Sequence, residues 1–193
     1  MSKLLKIAGV TGVVTPFLVF SCIIVAVLSW PSFSWVNNAL SDLGVHWGFT
    51  ATIFDLGLVV GGFLFMVFAA GLFVFLGKHL VGKLGVCLLF LACLSLVGIG
   101  VFNETFTPTH YIVSVMFFVS LPLSMLVLVG TLWLNGDRKL SMFTLALGLA
   151  AAAPWVLEFT FPYVSGVAIP ELVSGLAGAA WTVVLGYLML KEP

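Results

Sequence analysis

The sequence predicts an all-α membrane protein: a six-helix transmembrane bundle built from three helical hairpins. Of its 193 residues, 62% are hydrophobic and 7% are charged, whereas a soluble domain carries about 25% charged residues. The chain also contains six apolar segments of the length that crosses a bilayer as a helix. No soluble fold of this length could bury so much apolar surface, so the surrounding solvent must be lipid.

The six predicted helices form one integral-membrane domain, residues 1–193. They cover residues 7–29, 50–76, 84–102, 111–134, 140–160 and 169–190. The apolar runs are continuous and lack the alternation expected of strands in a membrane barrel. Lys3 and Lys6 resemble the start of a signal peptide, but the run after them is too long and no cleavage site follows it. We therefore expect the first run to be retained as a helix.

Polar segments separate the predicted helices. They read VNNALSDLGVHWG (36–48), GKHLVGK (77–83), TFTPT (105–109), NGDRK (135–139) and SGVAIP (165–170). Asn135-Gly136 is a typical turn pair. Pro108 and Pro170 stand where the first turns of helices four and six would begin. A purely structural interpretation of TFTPT makes Thr107 the N-cap of the fourth helix, with His110 simply in water.

The basic residues all fall on one side of the predicted membrane. They are Lys3, Lys6, Lys78, Lys83, Arg138, Lys139 and Lys191. The positive-inside rule makes that side cytoplasmic. The sequence thus predicts a protein of the cell (plasma) membrane, N-in and C-in, with both termini cytoplasmic.

The opposite side carries acids and histidines without a single Lys or Arg. These residues are Asp42, His46, Asp55, Glu104, His110, Glu158 and Glu171. A carboxylate near lipid must face water, hydrogen-bond donors, a helix N-terminus, a metal or another acid. We expect an outward-facing polar pocket made of Ser41, Asp42, Asp55, Glu104, His110 and Glu158. Glu171, in the first turn of the sixth helix, has a simple structural explanation there.

Four of these side chains are candidate catalytic groups or metal ligands: Asp42, Asp55, Glu104 and His110. Imidazole with carboxylates suits zinc, iron or manganese, so a divalent metal stays open as a cofactor. The spacing matches no known ligand motif. Asp55 is the most informative of the four, because it lies inside a predicted helix and intramembrane acids are usually functional.

Several function classes lack support in the sequence. The net charge is zero, and no nucleic-acid surface or phosphate-binding glycine loop is visible. There is no Gly-x-Ser-x-Gly elbow to support Ser41 as a nucleophile. The three cysteines lie in apolar runs without a Cys-x-x-Cys spacing and imply no disulfide framework.

Three segments carry a family resemblance: NALSDLG after the first helix, FDLGLVVGG in the second, and GVFNETFTPTH before the fourth. Together they resemble the archaeal and bacterial membrane family called domain of unknown function 998. Its recurring features would fall on Ser41, Asp42, Leu43, Gly44, Phe54, Asp55, Gly100, Phe102, Glu104 and His110. Asp55 departs from the pattern, where Asn is more often expected. The resemblance implies six helices and no established activity.

Three hypotheses for function remain open. The first is an uncharacterised multi-pass protein that binds a lipid, a small apolar ligand or a partner subunit. The second is a metal-dependent intramembrane enzyme of a lipid-hydrolase type. It is similar only distantly to the superfamily of alkaline ceramidases, because the late His-x-x-x-His pair of that group is missing. The third is a small proton-coupled carrier using Asp55. The oligomeric state is not predicted.

Overall fold

A computed structural model describes residues 3–76 and 79–192 of the chain. In these residues there are six long helices, two short 3-10 turns and no strand. The helices are α1 (Lys3–Leu28), α2 (Phe49–Leu76), α3 (Leu80–Val101), α4 (Thr109–Leu134), α5 (Arg138–Thr160) and α6 (Ala168–Lys191). All six are long and apolar enough to cross a membrane. The predicted all-α, six-helix membrane architecture is therefore confirmed.

All six helices begin earlier than the sequence predicts, α1 and α3 by four residues, α4 and α5 by two, and α2 and α6 by one. The starts of α3 and α4 have local reasons. α3 begins at Leu80, four residues early, because Gly82 fits against the end of α2: a Cβ at Gly82 would lie 2.5 Å from the Leu76 carbonyl oxygen. α4 begins at Thr109, directly after Pro108. Thr107 does not cap it as expected, because its hydroxyl donates to the Glu104 carbonyl at 2.9 Å instead. Lys78 of the basic set lies outside the described residues.

The six helices form a closed ring. Each helix packs against its neighbours in sequence, and α1 also packs against α6. At one end of this last contact the helices approach closely: a Cβ on Gly9 would lie 2.9 Å from the Gly186 carbonyl oxygen. Small residues allow such close approach of helices in lipid. The ring places the first and last helices of the chain side by side.

The interior and the exterior of the ring are both apolar. Phe68, Met125 and Trp181 are fully buried, while Phe159 on the outside is 77% exposed. An exposed apolar exterior of this kind suits contact with lipid tails rather than water. Trp181 also joins two helices, because its Nε1–H donates to the Thr144 hydroxyl at 3.1 Å.

Candidate functional site

The loop between α1 and α2 is folded around the carboxylate of Asp42. Asp42 Oδ2 accepts hydrogen bonds from Asn38 Nδ2 at 2.6 Å and from the Ala39 backbone N–H at 3.0 Å. These bonds hold the 3-10 turn Ser41–Gly44 in place, and Leu43 in that turn is fully buried. Asp42 is therefore tied into its own loop.

Ser41, the first residue of this turn, connects the loop to a distant part of the chain. Its hydroxyl donates to Glu104 Oε1 at 2.6 Å. Glu104 opens the second 3-10 turn, Glu104–Phe106, in the segment between α3 and α4. Hydrogen bonds to a charged acceptor are stronger than bonds between neutral groups. The bond therefore fastens the loop between α1 and α2 to the segment between α3 and α4.

Glu171 in the first turn of α6 joins the same place. Its Oε2 accepts a hydrogen bond from the Leu40 backbone N–H at 2.5 Å, and the residue is only 9% exposed. Glu104 and Asp42 are near enough to repel its charge. Glu171, Glu104 and Asp42 thus form a carboxylate cluster around the Leu40–Ser41 turn. The local explanation of Glu171 by the helix end was incomplete, because the side chain also holds a loop 131 residues away in sequence.

Asp55 lies one turn and a half into α2 and faces a second set of groups. Asn103 and His110 are its polar neighbours, and Gly44 packs directly against it: a Cβ at Gly44 would lie 2.5 Å from Asp55 Oδ1. That oxygen is buried and, among the described residues, has no hydrogen-bond partner. The Asn103 amide donates to the Gly44 carbonyl at 3.2 Å. Asp55 is therefore enclosed by the same two loops that carry Ser41 and Glu104.

His110 is buried beside this set, and its hydrogen bonds define its tautomer. Its Nδ1 lies 2.7 Å from the Phe102 carbonyl oxygen. A carbonyl can only accept, so Nδ1 carries a proton. In the neutral ring Nε2 is then an acceptor, and the Ser114 hydroxyl lies 3.3 Å from it. Both ring nitrogens are occupied within the protein.

The structure brings five of the six predicted pocket residues to one end of the bundle: Ser41, Asp42, Asp55, Glu104 and His110. Glu158 lies apart at the end of α5, where its Oε2 accepts the Tyr163 backbone N–H at 3.4 Å. Partial burial and the charge of Glu158 raise the pKa of the Tyr163 phenol. In residues 3–76 and 79–192, no group of three or more His, Cys, Asp and Glu side chains is arranged to hold a metal ion.

The loop between α5 and α6 is bonded to the loop between α1 and α2. The Gly166 N–H donates to the Val36 carbonyl at 2.7 Å, and the Ala168 N–H donates to the Asn38 carbonyl at 2.9 Å. Gly166 is required here, because any side chain at this position would collide with the Asn38 backbone. Loops from all three hairpins thus meet at one end of the ring, the end that carries the carboxylate cluster.

Under the carboxylate cluster lies a cavity that the sequence did not predict. It has a volume of about 110 Å³ and is walled by α1, α2, α3, α4 and α6. Its walls are apolar, with Leu58, Leu96 and Phe117 among them, and its outer end is formed by Ser41 and Glu171. No periodic pattern in a sequence predicts a cavity between five helices, because the cavity depends on how the helices pack against one another.

Comparison with known proteins identifies the family. The model of a family described as "Protein of unknown function (DUF998)" matches residues 13–188, a range that includes the carboxylate cluster and the cavity walls. Neither the curated proteins nor the solved structures contain a match to the chain. The resemblance carried by the segments around Ser41, Asp55 and Glu104 is thereby confirmed. This multi-pass membrane protein belongs to the DUF998 family.

Proposed function

We propose that this protein binds a lipid or another small apolar ligand in the cavity beneath the carboxylate cluster. The observation that carries the proposal is the cavity itself, which is lined by five helices and has polar groups at one end. Ligand sites in proteins are typically apolar with a few polar groups that fix orientation. An apolar cavity of about 150 Å³ binds benzene. The 110 Å³ here can thus take one small apolar group.

The polar end of the cavity would orient the ligand. Ser41 and Glu171 both line it, and both are held by contacts between different segments of the chain. A site of this kind is preorganised, which lowers the entropic cost of binding. On this proposal Asp42 and Asn38 stabilise the loop that presents Ser41, and they do not touch the ligand.

A matched pair of substitutions on α3 tests binding. Leu96 lines the cavity and is 6% exposed, whereas Leu94 is 59% exposed on the outside of the same helix. Leu96→Trp fills the cavity, and Leu94→Trp places the same side chain outside. Each protein is purified from its membrane, the retained lipid is identified by mass spectrometry, and thermal unfolding is followed with that lipid added.

The wild type and Leu94→Trp are expected to retain the ligand and to be stabilised by it, by about 2.7 kcal/mol at a ligand concentration 100 times Kd. Leu96→Trp is expected to lose both effects while remaining folded. Equal retention and equal stabilisation of the two variants would contradict the proposal, because the ligand would then lie outside the cavity.

We propose further that the whole chain, residues 1–193, is one integral domain of the plasma membrane with both termini in the cytoplasm. Lys3, Lys83, Arg138 and Lys191 lie at the helix ends opposite the carboxylate cluster, and basic residues favour the cytoplasmic side. The test uses a variant without native cysteines and a single new cysteine, at Ser32 or at Gly136. In intact cells a membrane-impermeant maleimide should label the first variant alone, and the reverse pattern contradicts this orientation.

A further inference from the structure

A groove on the lipid-facing surface leads to the cavity. It lies between α1 and α6, has a volume of about 540 Å³, and is lined on its outer side by residues such as Ile24 and Leu176. Pro16, Phe20 and Ala179 line both the groove and the interior cavity. A single layer of side chains therefore separates the cavity from the space that lipid tails occupy.

The contact between α1 and α6 is tight at the end near Gly12 and Gly186 and loose further along the two helices. At the inner end the backbones touch, since a Cβ on Gly12 would lie 3.1 Å from Gly186 Cα. At the other end, Gly166 and Ala168 donate to Val36 and Asn38 and so join the start of α6 to the loop between α1 and α2. Between these points the groove replaces close packing. We call this contact between α1 and α6 the seam. It has an opening in the middle, bounded by the Gly12–Gly186 contact at one end and by the bonded loops at the other.

The ring of Phe20 lies in this opening, between the groove and the cavity. Phe20 is half-buried, and a Cβ placed on Gly175 of α6 would lie 3.3 Å from its Cζ atom. Gly175 therefore leaves room for the ring where another residue would crowd it. An aromatic side chain can rotate about its χ angles without movement of the helices. Phe20 can therefore unblock the opening while the contacts between α1 and α6 stay in place.

We propose that the seam between α1 and α6 is a lateral portal, through which a single-chain amphiphile with a positively charged head group enters the cavity from the bilayer. This inference rests on the proposed function and adds the route and the chemical class of the ligand. Phe20 is the gate of the portal. The head group binds at Ser41 and Glu171, the polar end of the cavity, and the apolar chain occupies the cavity and the groove.

The charge of the head group follows from the groups that meet it. Three carboxylates surround the Leu40–Ser41 turn, and in residues 3–76 and 79–192 each Lys and Arg lies at the other end of the bundle. Glu171 Oε2 is occupied by the Leu40 N–H, while its Oε1 accepts no hydrogen bond from the described residues. The site therefore offers an acceptor without a hydrogen bond from the described residues, close to the carboxylates of Glu104 and Asp42, which an ammonium group with three N–H donors complements.

The distances suit a ligand with one chain. Glu171 and Ala179 are eight residues apart on α6, which corresponds to about 12 Å along a helix axis. A chain that starts at Glu171 runs along this length of α6: its first methylene groups fill the cavity of about 110 Å³, and the rest passes beside Phe20 into the groove of about 540 Å³. The narrow cavity of about 110 Å³ leaves no room for a second chain beside the first.

The experiment measures how fast a photoreactive probe reaches the cavity. Hexadecylamine with a diazirine on its chain is added to vesicles that contain the full-length protein. Samples are irradiated after increasing times, and labelled residues are located by mass spectrometry. Hexadecanoic acid with the same diazirine tests the charge of the head group. Ala180→Trp obstructs the groove from outside, because Ala180 is exposed in the groove and does not line the cavity.

Ala180→Trp is expected to slow labelling of cavity residues roughly tenfold, because it obstructs the route into the cavity. It should also lower the final level, because the end of the bound chain lies in the same groove. Phe20→Ala should accelerate labelling. Ala153→Trp is the matched control on α5, since Ala153 is also exposed and lines neither space. The amine should label the cavity more than the acid does.

Two results overturn the inference and leave the proposed function standing. Unchanged labelling rates in both Ala180→Trp and Phe20→Ala refute the portal. Equal labelling of the cavity by acid and amine refutes the positively charged head group. If no probe labels the cavity of the wild type at any time, the inference fails, because such amphiphiles then do not enter the cavity. The proposed function is still decided separately, by the lipid that Leu96→Trp and Leu94→Trp retain.

Discussion

Removal of the Ser41 hydroxyl should destabilise the protein more than removal of the carboxylate that accepts its hydrogen bond. The Ser41–Glu104 bond is 2.6 Å long, and Ser41 is buried. A hydrogen bond to a charged group contributes about 1.5–3 kcal/mol. Glu104 is half-buried, and water replaces part of the lost bond, so Ser41→Ala should cost about 2 kcal/mol.

Glu104→Ala loses the same bond but also removes a negative charge beside Glu171 and Asp42. Relief of that repulsion offsets part of the loss, and the expected cost is about 1 kcal/mol. Once Glu104 is absent, Ser41→Ala removes no partner, so the double variant should resemble Glu104→Ala alone. The coupling energy between the two sites is then about 1.5–2 kcal/mol.

The assay is reversible unfolding in bilayer-like micelles of fixed composition, with the wild type, both single variants and the double variant. Ser165→Ala in an exposed loop is the control for a serine to alanine change and should have no effect. If the single effects add to within about 0.5 kcal/mol, the two residues are independent. That result would refute the view that the Ser41–Glu104 bond fastens the outer loops.

Two further predictions concern close contacts elsewhere. Gly44→Ala should cost about 1–3 kcal/mol in unfolding free energy, because the added Cβ would lie 2.5 Å from Asp55 Oδ1; Asp55→Ala in the same chain should recover much of that loss, and no recovery would show that the contact is not the cause. Thr144→Val should cost about 2 kcal/mol in thermal unfolding monitored by tryptophan fluorescence, because it leaves the buried Trp181 N–H without an acceptor. Thr182→Val removes a hydroxyl that donates to the Ala179 carbonyl, so no donor is orphaned and its cost should be smaller; equal costs would argue against the orphaned donor.

The architecture was predictable because it depends on length and composition. Each span needs about 20 apolar residues, and such segments are visible one by one. The helix ends were less predictable: the start of α3 depends on how Gly82 packs against Leu76. The sequence also predicted that the acids and histidines lie at one end of the bundle, because alternate loops of a ring of membrane-spanning helices lie at the same end.

The partners of the polar groups could not be predicted in the same way. An acid in the first turn of a helix has a sufficient local explanation, so nothing near Glu171 in sequence signals its bond to Leu40. The absence of any cation on that side was the one available signal. Glu158 also lies on the side without Lys or Arg, yet it is not part of the cluster. It lies at the end of α5, where its carboxylate accepts the Tyr163 backbone N–H.

The closed ring has a consequence for how the protein is made. α1 leaves the ribosome first and α6 last, yet Gly12 of one packs against Gly186 of the other. During synthesis the first helix therefore has no final partner on one side, and lipid covers the surface that later faces the cavity. Glu171 and the last wall arrive together with α6. The cavity is complete only after α6 has been made, and a nascent chain shortened before α6 has neither the cavity nor the seam between α1 and α6.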